Sequence, residues 1–151
     1  MSRKPSLAQH LGDPTLKGYA VLQKIFFAAT KSSQAAGGAF IERLMQRSQD
    51  REPSSGPAVA QAQIASFREW EQVAGERFSD LKRIPHPTLV VNGVHDEMIP
   101  VSNSYWLSAH LPNAVLLTYP DSGHGSLFQF HEPFTLQAAA FLASESEFAP
   151  Y

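Results

Sequence analysis

A chain of 151 residues, 43% hydrophobic and 17% charged, is long and apolar enough to bury one core of ordinary domain size, which excludes disordered and collagen-like classes. Its formal net charge of −2 leaves no basic footprint for a nucleic-acid partner. With no cysteine, it can carry no disulfide, thiolate zinc site or cysteine nucleophile.

The opening stretch MSRKPSLAQHLGDPT has a basic pair but no apolar segment of the signal-sequence kind, and no apolar run in the chain is long enough to cross a bilayer. The expectation is a cytoplasmic protein with no membrane partner. A first helix is predicted from Asp13 as N-cap and Pro14 as first helical residue. Its apolar end, Ile25-Phe26-Phe27, suits a short extended segment equally well. A second helix opens around Ser32-Ser33 and sets Phe40, Ile41, Leu44 and Met45 on one face, with Glu42, Arg43 and Arg47 on the other. Residues 49–56, polar and turn-rich, form a linker that includes Ser54, Ser55 and Gly56. A third helix starts at Pro57, lines Ala60, Ile64, Phe67, Trp70 and Ala74 along one side, and closes at Gly75.

Residues 88–91 are a β-branched apolar run halted by Asn92-Gly93, hence a buried strand ending at a turn that carries Asp96. Residues 114–119 form a second strand, followed by Pro120, Asp121, Ser122, Gly123 and then His124. The interval 101–111 holds one helix. Strand, crossover helix and strand imply a parallel pair, with both turns at the carboxyl ends of neighbouring strands. A last helix follows, with Pro133 in its first turn and Phe134, Ala138, Phe141 and Leu142 as a stripe facing the sheet.

Ligands of open α/β sheets bind beyond the carboxyl ends of the strands, so Asp96 and His124 are placed to meet in one crevice. A carboxylate that accepts the Nδ1 proton of an imidazole fixes its tautomer and leaves Nε2 free to take a proton from a nucleophile. Taken singly, Asp96 is equally a turn residue that accepts backbone N–H bonds, and His124 a structural histidine at a strand end. Gly123 and Gly125, lacking Cβ, let the chain turn tightly and let substrate or neighbouring backbone approach the ring. Phe128 and Phe130, just past His124, are candidates to line an apolar acyl pocket, Phe128 foremost as a substrate-binding residue. Trp70 and Trp106 are most simply core or helix-packing aromatics. His10, His86, His95, His110 and His131 show no metal-ligand spacing, so neither a metal nor a cofactor is expected.

The pattern of Pro87, Gly93, Asp96 and Pro100, then Leu111-Pro112-Asn113-Ala114, then Tyr119-Pro120-Asp121-Ser122-Gly123-His124-Gly125, resembles the closing portion of an α/β-hydrolase. In that fold the order is nucleophile, acid, base, so the resemblance makes Asp96 the acid and His124 the base. The nucleophile of the family sits on a G-x-S-x-G elbow, and these 151 residues contain no such segment; Ser54, Ser55 and Ser126 lack its setting. What is implied is a partial α/β fold carrying two triad members, from a serine-type hydrolase acting on an ester or similar acyl substrate. The alternatives are a truncated non-catalytic fragment or binding protein, or an acyltransferase, lyase or cofactor-free peroxidase of the same fold. Residues 26–44 are similar to the helical caps of bacterial members. The organisation expected is therefore a cap over residues 1–84 and a core over 85–151. A small-molecule substrate is the expected partner, and an unpaired sheet edge would invite self-association.

Overall fold

The computed structural model describes residues 18–53, 56–70, 72 and 75–144. The start expected at Asp13 and Pro14, and the positions Ser54, Ser55 and Ala74, lie outside the described residues.

The centre is a parallel pair of strands, β1 (Thr88–Gly93) and β2 (Ala114–Tyr119), in register from Thr88 opposite Ala114 to Gly93 opposite Tyr119. β1 runs two residues beyond the predicted apolar run. Gly93 makes this possible, because a Cβ there would lie 2.2 Å from the carbonyl oxygen of Gly123, closer than any side chain tolerates. The pairing continues past the strand ends: Val94 N–H donates to Tyr119 O at 3.0 Å and His95 N–H to Ser122 O at 2.9 Å. Two loops thus leave the sheet side by side.

The helices are α1 (Tyr19–Phe26), α2 (Lys31–Gln46), α3 (Pro57–Trp70), α4 (Val101–His110), α5 (Ser126–Gln129) and α6 (His131–Ala143), with a 3-10 turn at Leu81–Arg83. α4 is the predicted crossover and packs against both strands. The ambiguous apolar stretch divides: α1 continues through Phe26, and Phe27 is already extended. Thr30 then starts α2 by accepting a hydrogen bond from Ser33 N–H at 3.2 Å.

Several predicted contact faces are corrected. α2 buries Ser33 and Gly37, while Leu44 and Met45 are exposed. The reason is the close approach of α1: a Cβ on Gly37 would lie 2.9 Å from the Phe27 ring, so the small residues make the contact. On α3, Ile64 and Phe67 are each 50% exposed. On α6, Phe134, Ala138 and Phe141 are half-buried, whereas Leu142 points outward. Trp106 is 51% exposed and stacks at the surface instead of entering the core. Its partner Phe78 has a left-handed backbone (φ 65°), an unusual state for a bulky residue. The Phe78 ring lies between Arg77 (4.6 Å), His110 (4.0 Å) and Trp106 (5.9 Å), which fastens the chain entering β1 to the outside of α4.

Candidate active site

Asp96 stands on the loop after β1, and Asn92 builds that loop. Buried at the end of β1, the Asn92 amide donates to Ile99 O at 3.1 Å and to Ser104 Oγ on α4 at 3.0 Å, and its Oδ1 accepts Gly93 N–H at 2.7 Å. Both ends of the loop are therefore tied to the helix that follows it. Within it, Asp96 Oδ1 accepts the N–H groups of Met98 and Ile99 at 2.8 and 2.9 Å. The turn role open to Asp96 from sequence is thus real, and it occupies one oxygen.

The other oxygen faces the second loop. Asp96 Oδ2 lies 3.0 Å from His124 Nδ1. An ionised carboxylate only accepts, so Nδ1 carries the proton, and the imidazole is fixed as the tautomer whose Nε2 has its lone pair free. No described residue hydrogen-bonds Nε2. The carboxylate is almost wholly enclosed (side chain 2% exposed), while the His124 side chain keeps 31% of its surface open. A buried acceptor and a reachable ring are the arrangement a general base requires.

The His124 loop is shaped by its contacts with α1. Gly125 N–H donates to Phe26 O at 2.8 Å. A Cβ on Gly123 would sit 2.9 Å from that same oxygen, and one on Gly125 would sit 2.6 Å from Phe26 Cβ. The expected close approach is made by backbone and by the Phe26 side chain. Ser126 is buried at the start of α5.

An aromatic wall stands beside the base. Phe26 is 5.7 Å from the His124 ring and stacks on Phe128 at 5.8 Å; Phe40 of α2 meets Phe128 at 4.9 Å and Phe26 at 6.4 Å. Phe128 is 37% exposed, so the wall has an open surface. From sequence Phe40 is a helix-face position and Phe26 part of an apolar end that suits helix or extended chain equally. Their signal was faint, because only the fold brings positions a hundred residues apart against one ring. Phe130 instead stacks on Tyr119 at 4.9 Å, whose phenol is raised above its ordinary pKa by burial and donates to Gln137 Oε1.

His95 and Glu97, the neighbours of Asp96, point elsewhere: with Lys24, Phe27 and Ala29 they line a cavity of about 510 Å³ beside the loop. Among the described residues no group of three or more His, Asp or Glu side chains could hold a metal ion, and no helix is long and apolar enough to cross a membrane.

The chain overlays an α/β-hydrolase fold protein from Chitinophaga pinensis with a TM-score of 0.81 at 33% identity, covering 91% of this chain and 48% of that one. A 92-residue stretch is 35% identical to the non-heme chloroperoxidase of Burkholderia pyrrocinia, covering 60% of this chain and 31% of the relative. A 56-residue stretch is 32% identical to the pimeloyl-[acyl-carrier protein] methyl ester esterase of Nitrosomonas europaea, covering 37% and 22%. The chain spans about half the length of the solved structure and under a third of either curated relative. Residues 55–146, well over half of the chain and including both Asp96 and His124, match the model of the TAP-like proteins. The fold is that of a partial α/β-hydrolase, and the chain belongs to the TAP-like family of α/β-hydrolases.

Proposed function

We propose that this chain supplies the acid and the base of a serine-type hydrolase that cleaves esters with an apolar acyl group. The observation that carries the reading is the 3.0 Å contact between the enclosed Asp96 carboxylate and His124 Nδ1, with 31% of the His124 side chain still open. In this reading His124 Nε2 takes the proton of a serine hydroxyl as its oxygen bonds to the acyl carbon, then returns that proton to the departing alkoxide. Asp96 holds the tautomer and stabilises the imidazolium between the two steps.

The serine belongs to a G-x-S-x-G elbow absent from these 151 residues, so the complete triad needs a nucleophile-bearing segment beside β1. The relatives include an esterase and a chloroperoxidase, so the substrate reading rests on the site itself: Phe26, Phe40 and Phe128 offer an apolar surface to an acyl chain. α1 and α2, which carry two of these rings, act as the cap within residues 1–84, over a core of residues 85–151. A cytoplasmic setting belongs to the same reading.

The test is reconstitution. Produced with a polypeptide that provides the missing strands and elbow, the chain should hydrolyse p-nitrophenyl octanoate faster than p-nitrophenyl acetate, and either polypeptide alone should give background rates. His124→Ala should lower turnover by about a thousandfold or more, since triad members act as a unit. Reconstituted turnover that is indifferent to His124→Ala would refute the assignment.

A further inference from the structure

We infer that Asp121 is a positioning residue for the base: its carboxylate locks the α1–α2 turn onto the loop that carries His124, and so holds the imidazole against Asp96. Three residues ahead of His124, Asp121 adopts a left-handed backbone (φ 49°). There its side chain reaches across to the turn before α2. Asp121 Oδ1 accepts the Thr30 hydroxyl at 2.6 Å, and Oδ2 accepts the Ser32 hydroxyl at 2.5 Å.

These bonds belong to a closed circuit. The Asp121 carbonyl accepts Gln129 Nε2 at 2.8 Å, Gln129 Oε1 accepts the Ser33 hydroxyl at 2.6 Å, and Ser33 Oγ accepts Ala28 N–H at 2.8 Å. Ser33 is fully buried, so that side of the circuit is shielded from water. Inside it lies the Gly125–Phe26 backbone bond, one residue from His124. The segments 26–33 and 121–129 are thereby stitched together on both flanks of the base.

A turn residue chosen only for its backbone would be satisfied by Gly or Asn, both of which tolerate a left-handed φ. Asp differs in offering two acceptor oxygens and no donor, and two hydroxyl donors meet it. In keeping with that match, the Ser32 and Thr30 hydroxyls hold the Asp121 carboxyl below its ordinary pKa, with His95 adding a smaller effect in the same direction. Asp96 secures the ring from the sheet side; Asp121 secures the loop beneath it from the helix side. Because α1 and α2 also carry Phe26 and Phe40, the same clamp sets the aromatic wall against the ring.

The significance of this inference rests on the reading of His124 as the base, and the experiment separates the two. In the complex of this chain with the polypeptide that supplies the missing strands, the Nδ1 proton of His124 donated to a carboxylate should give a downfield proton resonance, lost in Asp96→Asn. In Asp121→Ala that resonance should exchange with water about tenfold faster or broaden away, the scale of losing a hydrogen bond to a charged group. Protection of the β1 and β2 amides should stay unchanged. Ser32→Ala, which removes one donor and leaves the α2 cap in place, should give an intermediate rate and serves if Asp121→Ala fails to fold. A wild-type exchange rate in both variants would overturn the proposal, and so would loss of β-strand protection in parallel with the resonance in Ser32→Ala. The measurement needs no turnover, so a failure of the hydrolase reading would not imitate a failure of the clamp.

Discussion

Asp96 holds two jobs on two oxygens, and mutation should separate them. Oδ1 satisfies the N–H groups of Met98 and Ile99, so it is part of the loop's structure; Oδ2 serves His124. Asp96→Ala removes both acceptors and leaves partly buried donors unpaired, which costs on the order of 1–3 kcal/mol. His124→Ala removes a ring still 31% open to solvent and leaves the Oδ1 bonds intact. In the complex with the missing strands, chemical denaturation should show the midpoint falling clearly for Asp96→Ala and falling less for His124→Ala, although both break the Asp96–His124 contact. Equal losses would mean that the pair, and not the turn, carries the stability. From sequence a turn residue and a partner of His124 were rival readings of Asp96; the structure has both sets of contacts at once, because a carboxylate has acceptors enough for both. Gly93 shows the same limit on legibility. Its place in a turn was evident, but the need for hydrogen at its Cα comes from Gly123, thirty residues away.

At the level of elements, what could be read was whatever depends on local period and punctuation. The crossover helix, the second strand, the start of α3 at Pro57 and the parallel pairing all follow from apolar runs bounded by Gly, Pro and Asn. The face a helix buries was less legible, because it depends on what lies opposite. On α2 the far end of the suggested face, Leu44 and Met45, is open, whereas Phe40 packs on Phe26, Phe27 and Phe128 and the closest approach is that of Gly37 to Phe27. That contact is extended by the Asp121 clamp, whose pH dependence has a definite sign. The Ser32 and then the Thr30 hydroxyl favour the ionised form in the folded state and lower its pKa. Its contribution to docking α1–α2 is therefore fully present above the unfolded aspartate value, about 3.9, and is lost as pH falls through the lower folded value. An acid titration of the complex with the missing strands, followed on the backbone resonances of Thr30 and Ser32, should show a midpoint below 3.9, absent in Asp121→Asn. A midpoint at or above that value would mean that the hydroxyls do not hold the carboxylate in solution.

For the molecule as a whole, the described sheet has two strands, and each pairs on one side only. The faces are no better closed than the edges: β2 is half-buried over most of its length, and a cavity of about 280 Å³ between the sheet and α6 is lined by Leu89, Leu116 and Ala140. Ile64 on α3 is 50% exposed, and Leu136 and Leu142 on α6 are 73% and 78% exposed. Strands in parallel sheets are normally covered on both faces and paired on both edges, and an open apolar edge is a template for another chain. The Chitinophaga pinensis protein that shares this fold has about as much chain again beyond the matched part. We therefore expect a polypeptide of these 151 residues, produced alone, to self-associate and to unfold over a broad range. A segment that pairs beside β1 and brings the serine elbow should convert it to a defined complex with one sharp transition. Light scattering after size-exclusion chromatography, with thermal unfolding by circular dichroism, distinguishes the outcomes. A monodisperse monomer with a cooperative transition would show that two strands and their helices close a core unaided, and the need for a covering segment would then be confined to the chemistry.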